Sequence, residues 1–434
     1  MGDNNFLPDR LTSLISLLKT EKISPPEAIQ RQFNQLELDQ SLHCIIKQFD
    51  QNDKPKGPFA GTCLIHKDIF STPHRQAGFG NTYGLFDKTA QNAKVLKQLE
   101  SAGIQNMGAL AMAPYACGAT SQNPNFPRCI NPIDAALAVG GSSSGSAVAV
   151  ASHMTYVSLG TDTSGSVRIP SATCGITGLK TTRDLISLEG VCPLAKTLDT
   201  VGLLGRYAED IDCILDIVSQ YQLVNVEDNT NEKVSYWLPQ ELISPEVKTP
   251  IEHFLSQLNI SQAIDIAEFE ELKNAADIVM AYEIYEQYQA QINADECPMG
   301  LKAVGKLAKR ISTEQYQDVI TQQKTRLEKF LADYFSNTDL IVLPCVGSSI
   351  PLWTEVEIGH PNFSREKYLA LFQFMGFINL LGLPSISFPI GEDSYGRPVS
   401  VQVIAKPFHE KLLLKFANNV EKQLFNGNCY LNQK

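Results

Sequence analysis

The chain has 434 residues, of which 43% are hydrophobic and 19% are charged. This length and composition describe a folded globular protein with enough apolar residues for a large core, and they exclude a disulfide-stapled miniprotein. Acidic residues outnumber basic ones by 47 to 36, so the formal net charge is −11. A surplus of negative charge repels phosphate, which argues against nucleic acid as the main ligand.

The ten cysteines are scattered singly, without a C-x-x-C pair or a histidine at zinc-ligand spacing. We therefore expect reduced, mostly buried thiols, no metal site and no cofactor. The opening MGDNNF has neither a basic nor an apolar segment of the kind found in a signal peptide, and no run of 18 apolar residues occurs. These features predict a cytoplasmic protein that does not bind a membrane.

The first third of the chain begins with helices and continues with alternating strands and helices. Residues 9–38 read as two helices, the second opened by Ser24-Pro25-Pro26-Glu27 with a capping serine, a proline at the first helical position and a glutamate three residues after the cap. The apolar run 61–65 predicts a strand, so Lys67 lies at a strand end. Further elements are a helix over 91–102 and a strand over 104–110.

Between residues 139 and 206, tracts of glycine and serine alternate with core-forming apolar segments, a pattern typical of tight loops between buried elements. The later part of the chain continues the alternation, and we expect a variable surface region over 222–265. The predicted elements are a helix over 207–221, a long helix opened by Ser312-x-x-Gln315 and ending near 334, strands over 339–343, 385–390 and 398–405, and a helix over 408–424. We predict one α/β domain over residues 1–434, with a central mixed sheet flanked by helices.

Common catalytic motifs are mostly missing. The chain has no G-x-x-x-x-G-K-[ST], G-x-G-x-x-G or H-E-x-x-H pattern. Gly141 to Gly145 does satisfy G-x-S-x-G, which would make Ser143 a nucleophile served by a histidine such as His409. This match is a weak signal, because the pattern arises by chance in a segment so rich in glycine and serine.

Two other loops offer a different kind of site. Residues 140–147 run into a helix whose first backbone donors are free, and residues 160–170 form a loop after a strand. We expect the N–H groups of four consecutive residues in the second loop to converge as an oxyanion hole. These residues are Thr163, Ser164, Gly165 and Ser166. Ser166 is then the nucleophile, and Lys67 is the natural base because no histidine lies near either loop.

The chain resembles the amidase signature family. The resemblance is carried by the segments GGSSSGSAVAVA and GTDTSGSVRIPS and by an upstream strand ending in HKD. Ser166 of the second segment follows Ser142 of the first by 24 residues. DLIVLPC and NLLGLPSISFPIG extend it over about residues 5–424. By position in these motifs, the family's Ser-cisSer-Lys triad falls on Ser166 as nucleophile, Ser142 as bridging serine and Lys67 as base.

The resemblance implies an amidase signature fold and an amidohydrolase acting on linear amides. A small-molecule carboxamide would be cleaved to a carboxylic acid and ammonia or an amine through an acyl-enzyme. Asp162 and Arg168 match family positions that we expect to brace the loop by a buried ion pair. The motifs name no substrate-binding residues, and homodimer formation is left open.

Two departures from the family pattern affect the pocket. Ser164 stands where the family usually has glycine, and Ala111 to Tyr115 replace an Asn-Met-x-Glu run. An alternative within the family is the glutaminase component of glutamyl-tRNA amidotransferase, which releases ammonia from glutamine, although residues 262–335 do not resemble the matching part of that protein. A non-catalytic binding or scaffold protein is the alternative from a different class.

Overall fold

A mixed β-sheet forms the centre of the computed structural model, which describes residues 7–37, 39–51, 56–73, 77–82, 92–221, 223–226 and 232–433. Within these ranges the sheet has eleven strands. They are β1 (Ile45–Gln48), β2 (Cys63–Lys67), β3 (Gln105–Leu110), β4 (Val157–Asp162), β5 (Thr177–Lys180), β6 (Thr200–Gly205), β7 (Val234–Tyr236), β8 (Gln262–Ala263), β9 (Leu340–Pro344), β10 (Ser385–Glu392) and β11 (Pro398–Ala405). Their order across the sheet is β1-β3-β2-β4-β6-β5-β10-β11-β9-β7-β8.

Helices and short 3-10 turns surround the sheet. The α-helices of the described ranges are α1 (Leu11–Lys19), α2 (Pro25–Glu37), α3 (Lys94–Ser101), α4 (Ser144–Ala151), α5 (Arg168–Thr173), α6 (Ala208–Val218), α7 (Pro245–Gln257), α8 (Phe269–Ile292), α9 (Met299–Ala308), α10 (Thr313–Tyr334), α11 (Trp353–Val356), α12 (Arg365–Ala370), α13 (Gly376–Leu381) and α14 (Glu410–Phe425). This architecture confirms the predicted fold: a single α/β domain with a large mixed sheet.

The pairing of β2 with β4 positions the site. The two strands are parallel neighbours, in register at Ile65 with Ser158 and His66 with Leu159. Every residue of both strands is buried, as expected for central strands covered on both faces. The carboxyl ends of the two strands therefore meet at one edge of the sheet, which brings Lys67 close to the loop that follows Asp162.

Several local predictions are confirmed. The helix pair at the start of the chain, the β10–β11 hairpin and the last helix all occur where the pattern indicated. At the start of α10, Ser312 accepts from the N–H of Gln315 at 3.1 Å, and the Gln315 side chain accepts from the N–H of Ser312 at 2.9 Å. This is the predicted capping box.

The prediction of a surface region over 222–265 is wrong for the residues from β7 onward. β7 lies inside the sheet next to β9, and α7 buries four apolar side chains. These are Val247, Ile251, Phe254 and Leu255. Their spacing of i, i+4, i+7 and i+8 is that of an amphipathic helix, but Pro250 lies among them, and proline is unfavourable in the interior of a helix. Residues 222 and 227–231 of this region lie outside the described residues.

All ten cysteines are free thiols, and seven of them are buried, as predicted. Within the described ranges, no helix combines the length and the apolar character needed to cross a membrane.

Candidate active site

Lys67 is the last residue of β2 and is fully buried. Its Nζ lies 2.8 Å from Ser142 Oγ and 2.9 Å from Thr161 Oγ1. Burial lowers the pKa of Lys67 to about 7, although the charges of Asp199 and Asp162 act to raise it. A neutral amine is therefore accessible near neutral pH, which a lysine needs in order to accept a proton.

Ser142 lies in the loop between Gly140 and the start of α4, and its side chain is also fully buried. The peptide bond between Gly141 and Ser142 is cis. Gly141 is packed so closely that an added Cβ would lie 2.4 Å from the carbonyl oxygen of Thr120. Only glycine fits at this position without a clash against the backbone of Thr120.

Ser166 completes a chain of three polar groups. Its Oγ lies 2.9 Å from Ser142 Oγ, so hydrogen bonds connect Lys67, Ser142 and Ser166 in that order. The exposed fraction is 0% for Lys67 and Ser142 but 8% for Ser166. Ser166 is thus the member of the chain that an incoming molecule can reach. The structure brings together all three residues of the predicted triad.

The loop before Ser166 requires one correction to the predicted oxyanion hole. Gly165 has a φ of +99° that favours glycine, and its N–H donates to Asp162 Oδ1 at 2.8 Å. That N–H is therefore committed to the protein and cannot serve as a free donor. The candidate donors that remain are the N–H groups of Thr163, Ser164 and Ser166.

Asp162 and Arg168 form an ion pair in which both side chains are fully buried. Arg168 Nη2 donates to Asp162 Oδ1 at 2.9 Å, and Arg168 Nε donates to Asp162 Oδ2 at 3.1 Å. Burial acts to raise the pKa of Asp162, but the guanidinium holds it well below its usual range. Because the same carboxylate accepts the N–H groups of Gly165 and Val167, the pair fixes the backbone on both sides of Ser166.

Two buried amides that sequence reasoning missed hold the other side of Arg168. Arg168 Nη1 donates to Gln402 Oε1 at 2.8 Å, and Nη2 donates to Asn379 Oδ1 at 2.6 Å. Asn379 also donates to Asp162 Oδ1 at 3.1 Å. Each amide stands alone in an apolar run, in GFINLL and VSVQVIA. A lone amide in a buried run needs partners, and this is the signal that could have found both residues.

Asp199 is a further buried acid that sequence reasoning missed. Its carboxylate accepts from Thr163 Oγ1 at 2.5 Å, so it contacts the loop of the candidate oxyanion hole. Burial raises the pKa of Asp199 to about 6. Its position directly before β6 was the available signal, since a charged residue at a buried strand end needs a partner.

The weaker serine hydrolase pattern is not assembled. Ser143 Oγ donates to the carbonyl of Thr161 at 3.3 Å. The Nδ1 of His409 lies 2.9 Å from the carbonyl of its near neighbour Pro407. Neither side chain hydrogen-bonds to the other within the described residues, so the structure does not support the Ser143 and His409 interpretation.

The two departures from the family pattern lie in the surroundings of the loop. Ser164 packs against α13, where a Cβ added to Gly376 would lie 3.2 Å from Ser164 Oγ. Pro114 begins a short 3-10 turn, and the ring of Tyr115 in that turn packs edge-on against Phe79 and Tyr288. The altered run therefore contributes Tyr115 to an aromatic cluster with Phe79 and Tyr288.

No group of three or more metal-ligating side chains occurs among the described residues. The family model for amidases matches residues 38–261 and 240–414, which together cover most of the chain. The chain belongs to the amidase family. Membership makes it a hydrolase of amide C–N bonds and agrees with the predicted resemblance.

Two curated relatives show the breadth of this family. The chain is 29% identical over 383 residues to the A component of glutamyl-tRNA(Gln) amidotransferase from Aliarcobacter butzleri (strain RM4018), and the match covers 77% of this chain and 82% of that protein. It is 27% identical over 452 residues to a fatty acid amide hydrolase of Medicago truncatula, and this match covers 94% of this chain and 72% of that protein.

Among solved structures, the fold matches a chain of the vestigial complex that reveals the evolutionary origins of an s-triazine catabolic enzyme. The TM-score is 0.87 at 20% sequence identity, and the match covers 97% of this chain and 99% of that chain. At this identity the likeness supports the fold alone.

Proposed function

We propose that this amidase hydrolyses a small linear carboxamide to a carboxylic acid and ammonia or an amine, with Lys67, Ser142 and Ser166 as its catalytic residues. The observation that carries the proposal is the buried chain of hydrogen bonds from Lys67 through Ser142 to the more exposed Ser166. A scaffold protein would have no need for a buried lysine that is hydrogen-bonded to one serine and through it to another, since an unpaired buried ammonium is costly.

The reaction begins with proton transfer away from Ser166. A serine hydroxyl is a poor nucleophile near pH 7 unless a base removes its proton. Neutral Lys67 accepts a proton from Ser142, which in turn accepts one from Ser166. The Ser166 oxygen then bonds to the carbonyl carbon of the amide, and the carbonyl electrons move onto its oxygen.

The remaining steps use the same groups in reverse. The negative oxygen is stabilised by the N–H groups of Thr163, Ser164 and Ser166. The carbonyl re-forms as the C–N bond breaks, while Ser142 donates a proton to the leaving nitrogen and recovers one from Lys67. Water then attacks the acyl carbon and gives up a proton through Ser142 to Lys67. The bond from the acyl carbon to Ser166 Oγ breaks, the acid departs, and Ser166 regains its proton from Lys67 through Ser142.

A glutaminase activity, as in glutamyl-tRNA amidotransferase, is the second candidate, favoured by the 29% identity to the relative from Aliarcobacter butzleri. Incubation of the pure protein with a panel of linear amides, cyclic amides and glutamine, scored for ammonia or amine, separates the candidates. We expect release from linear amides without a partner protein. Release from glutamine alone would favour the second candidate, and release from none would contradict hydrolysis by the isolated chain.

A further inference from the structure

Asp199 joins the loop of the candidate oxyanion hole to a second loop, residues 193–199. Its exposed fraction is 4%, and its carboxylate accepts hydrogen bonds from both loops. Thr163 Oγ1 donates at 2.5 Å, the N–H of Leu194 at 2.8 Å and the N–H of Ala195 at 3.2 Å. With three donors on two oxygens, the orientation of the carboxylate is fixed from two directions.

Loop 193–199 is in turn fastened to the helical layer. The N–H of Thr197 donates to Glu283 Oε2 of α8 at 2.9 Å, and the Tyr288 hydroxyl of the same helix donates to the carbonyl of Pro193. Asp199 therefore connects Thr163 to a loop that is itself hydrogen-bonded to α8 at Pro193 and at Thr197. Movement of Asp199 would displace Thr163, and with it the N–H groups of the candidate oxyanion hole.

The charge of Asp199 also acts on Lys67. Two acids raise the pKa of Lys67 against the effect of burial, and Asp199 contributes more than Asp162. Asp162 is paired with Arg168. Asp199 forms no ion pair with a lysine or arginine among the residues that the structure describes, and burial raises its own pKa although the charge of Lys67 acts to lower it. Of the two charges that act on Lys67, that of Asp199 is thus the less compensated by a cation.

We propose that Asp199 is a positioning residue for the reaction: its hydrogen bond from Thr163 sets the oxyanion-hole loop, and its negative charge acts on Lys67. The proposal rests on the proposed roles of Ser166 and Lys67. Asp199 then acts on two parts of the site: the N–H donors that stabilise the negative oxygen, and the base Lys67.

The test measures how fast a fluorophosphonate labels Ser166 as a function of pH, since labelling needs the nucleophile and the oxyanion hole but no natural substrate. The variants are Asp199→Asn, Thr163→Val and Thr163→Ser. Active-site titration corrects each rate for the folded fraction. Asp210→Asn is the control, because Asp210 is also a buried acid, and its carboxylate accepts from the N–H of Thr12 in α1.

For Asp199→Asn we expect labelling about tenfold slower or more, because a displaced oxyanion donor stabilises the transition state less. Loss of the negative charge lowers the pKa of Lys67 further, so the acid limb of the profile should move to lower pH by roughly one unit. Thr163→Val should slow labelling without moving the limb, and Thr163→Ser should restore the rate. Asp210→Asn should leave both unchanged.

Labelling of Asp199→Asn at the wild-type rate and with the wild-type limb would overturn the proposal. If Asp199→Asn does not fold, wild-type labelling of Thr163→Val would overturn it instead. A wild-type protein that is labelled at Ser166 but cleaves no amide would contradict the proposed function and leave the Asp199 test intact. A wild-type protein that is not labelled at Ser166 would contradict both.

Discussion

Residues 139–206 and residues 262–335 behave differently. The first region holds β4, β5, β6 and the two serine-rich loops, and nearly all of it is buried. The second region holds α8, α9 and α10, and many of its side chains are exposed. Buried polar groups that act together need fixed positions, so they occur in the sequence as motifs of fixed spacing. A layer of amphipathic helices needs only apolar residues on its buried face, which many sequences provide. We therefore expect substitutions in the first region to affect catalysis or folding more strongly than those in the second.

The largest expected effect is that of Ser166→Ala. Removing the nucleophile should lower kcat by about 10⁴-fold or more and abolish fluorophosphonate labelling. Ser143→Ala is the matched control, since Ser143 is a buried serine of the same region whose hydroxyl bonds to the carbonyl of Thr161. It should keep activity within about tenfold. An adduct mapped to Ser143 would reverse the two roles.

Arg168→Met tests the bracing of the same region through stability. It leaves Asp162 buried without its partner, so the free energy of unfolding should fall by about 3–5 kcal/mol. Urea unfolding measures the change. In the helical region, Lys324→Met removes an exposed pair with Glu328 and should cost less than about 1 kcal/mol. Equal losses for the two variants would remove the contrast between the regions.

Ser142→Ala removes the proton path but keeps Ser166 and the oxyanion donors. Stopped-flow acylation should be slower by roughly 10²-fold while thermal unfolding is little changed. The same acylation rate as in the wild type would exclude Ser142 from the mechanism.

Tyr288→Phe in α8 should give the smallest effect. It removes the hydroxyl that donates to the Pro193 carbonyl but keeps the ring against Tyr115. The expected stability loss is about 1 kcal/mol, with kcat nearly unchanged and KM altered by only a few-fold. Steady-state kinetics checks this. A 10²-fold loss of kcat would place α8 within the catalytic machinery and contradict the division between the regions.

The sequence was most informative where neighbouring residues determine the geometry. Lys67 at a strand end and Ser166 after a strand could be placed because both follow short apolar runs, and the capping box at Ser312 is a purely local signal. The joint motif then indicated Ser142, which no local pattern singles out.

The remaining features depend on contacts between distant segments. Asn379 and Gln402 reach Arg168 across 211 and 234 residues, and Asp199 reaches Thr163 across 36. Only the folded sheet brings such groups together, so spacing along the chain could not reveal them. The N–H of Gly165 shows a different limit, because its partner Asp162 is only three residues away. The sequence pattern pairs Asp162 with Arg168 and gives no sign that the same carboxylate also accepts from Gly165.

Helix α8 was missed on different grounds. Its apolar residues are not confined to the buried face, because Ile278, Met280 and Tyr285 lie between the buried positions and are themselves only partly buried. Without a clear contrast between an apolar and a polar face, the 3.6-residue periodicity is weak.

The claim that a neutral lysine activates Ser166 is tested most directly by the pH dependence of fluorophosphonate labelling. In the wild-type protein the rate should fall as the pH drops below about 7, because protonated Lys67 cannot accept a proton. Lys67→Ala should not be labelled at any pH, and His409→Gln should keep the wild-type profile. An unlabelled His409→Gln protein beside a labelled Lys67→Ala protein would contradict the account.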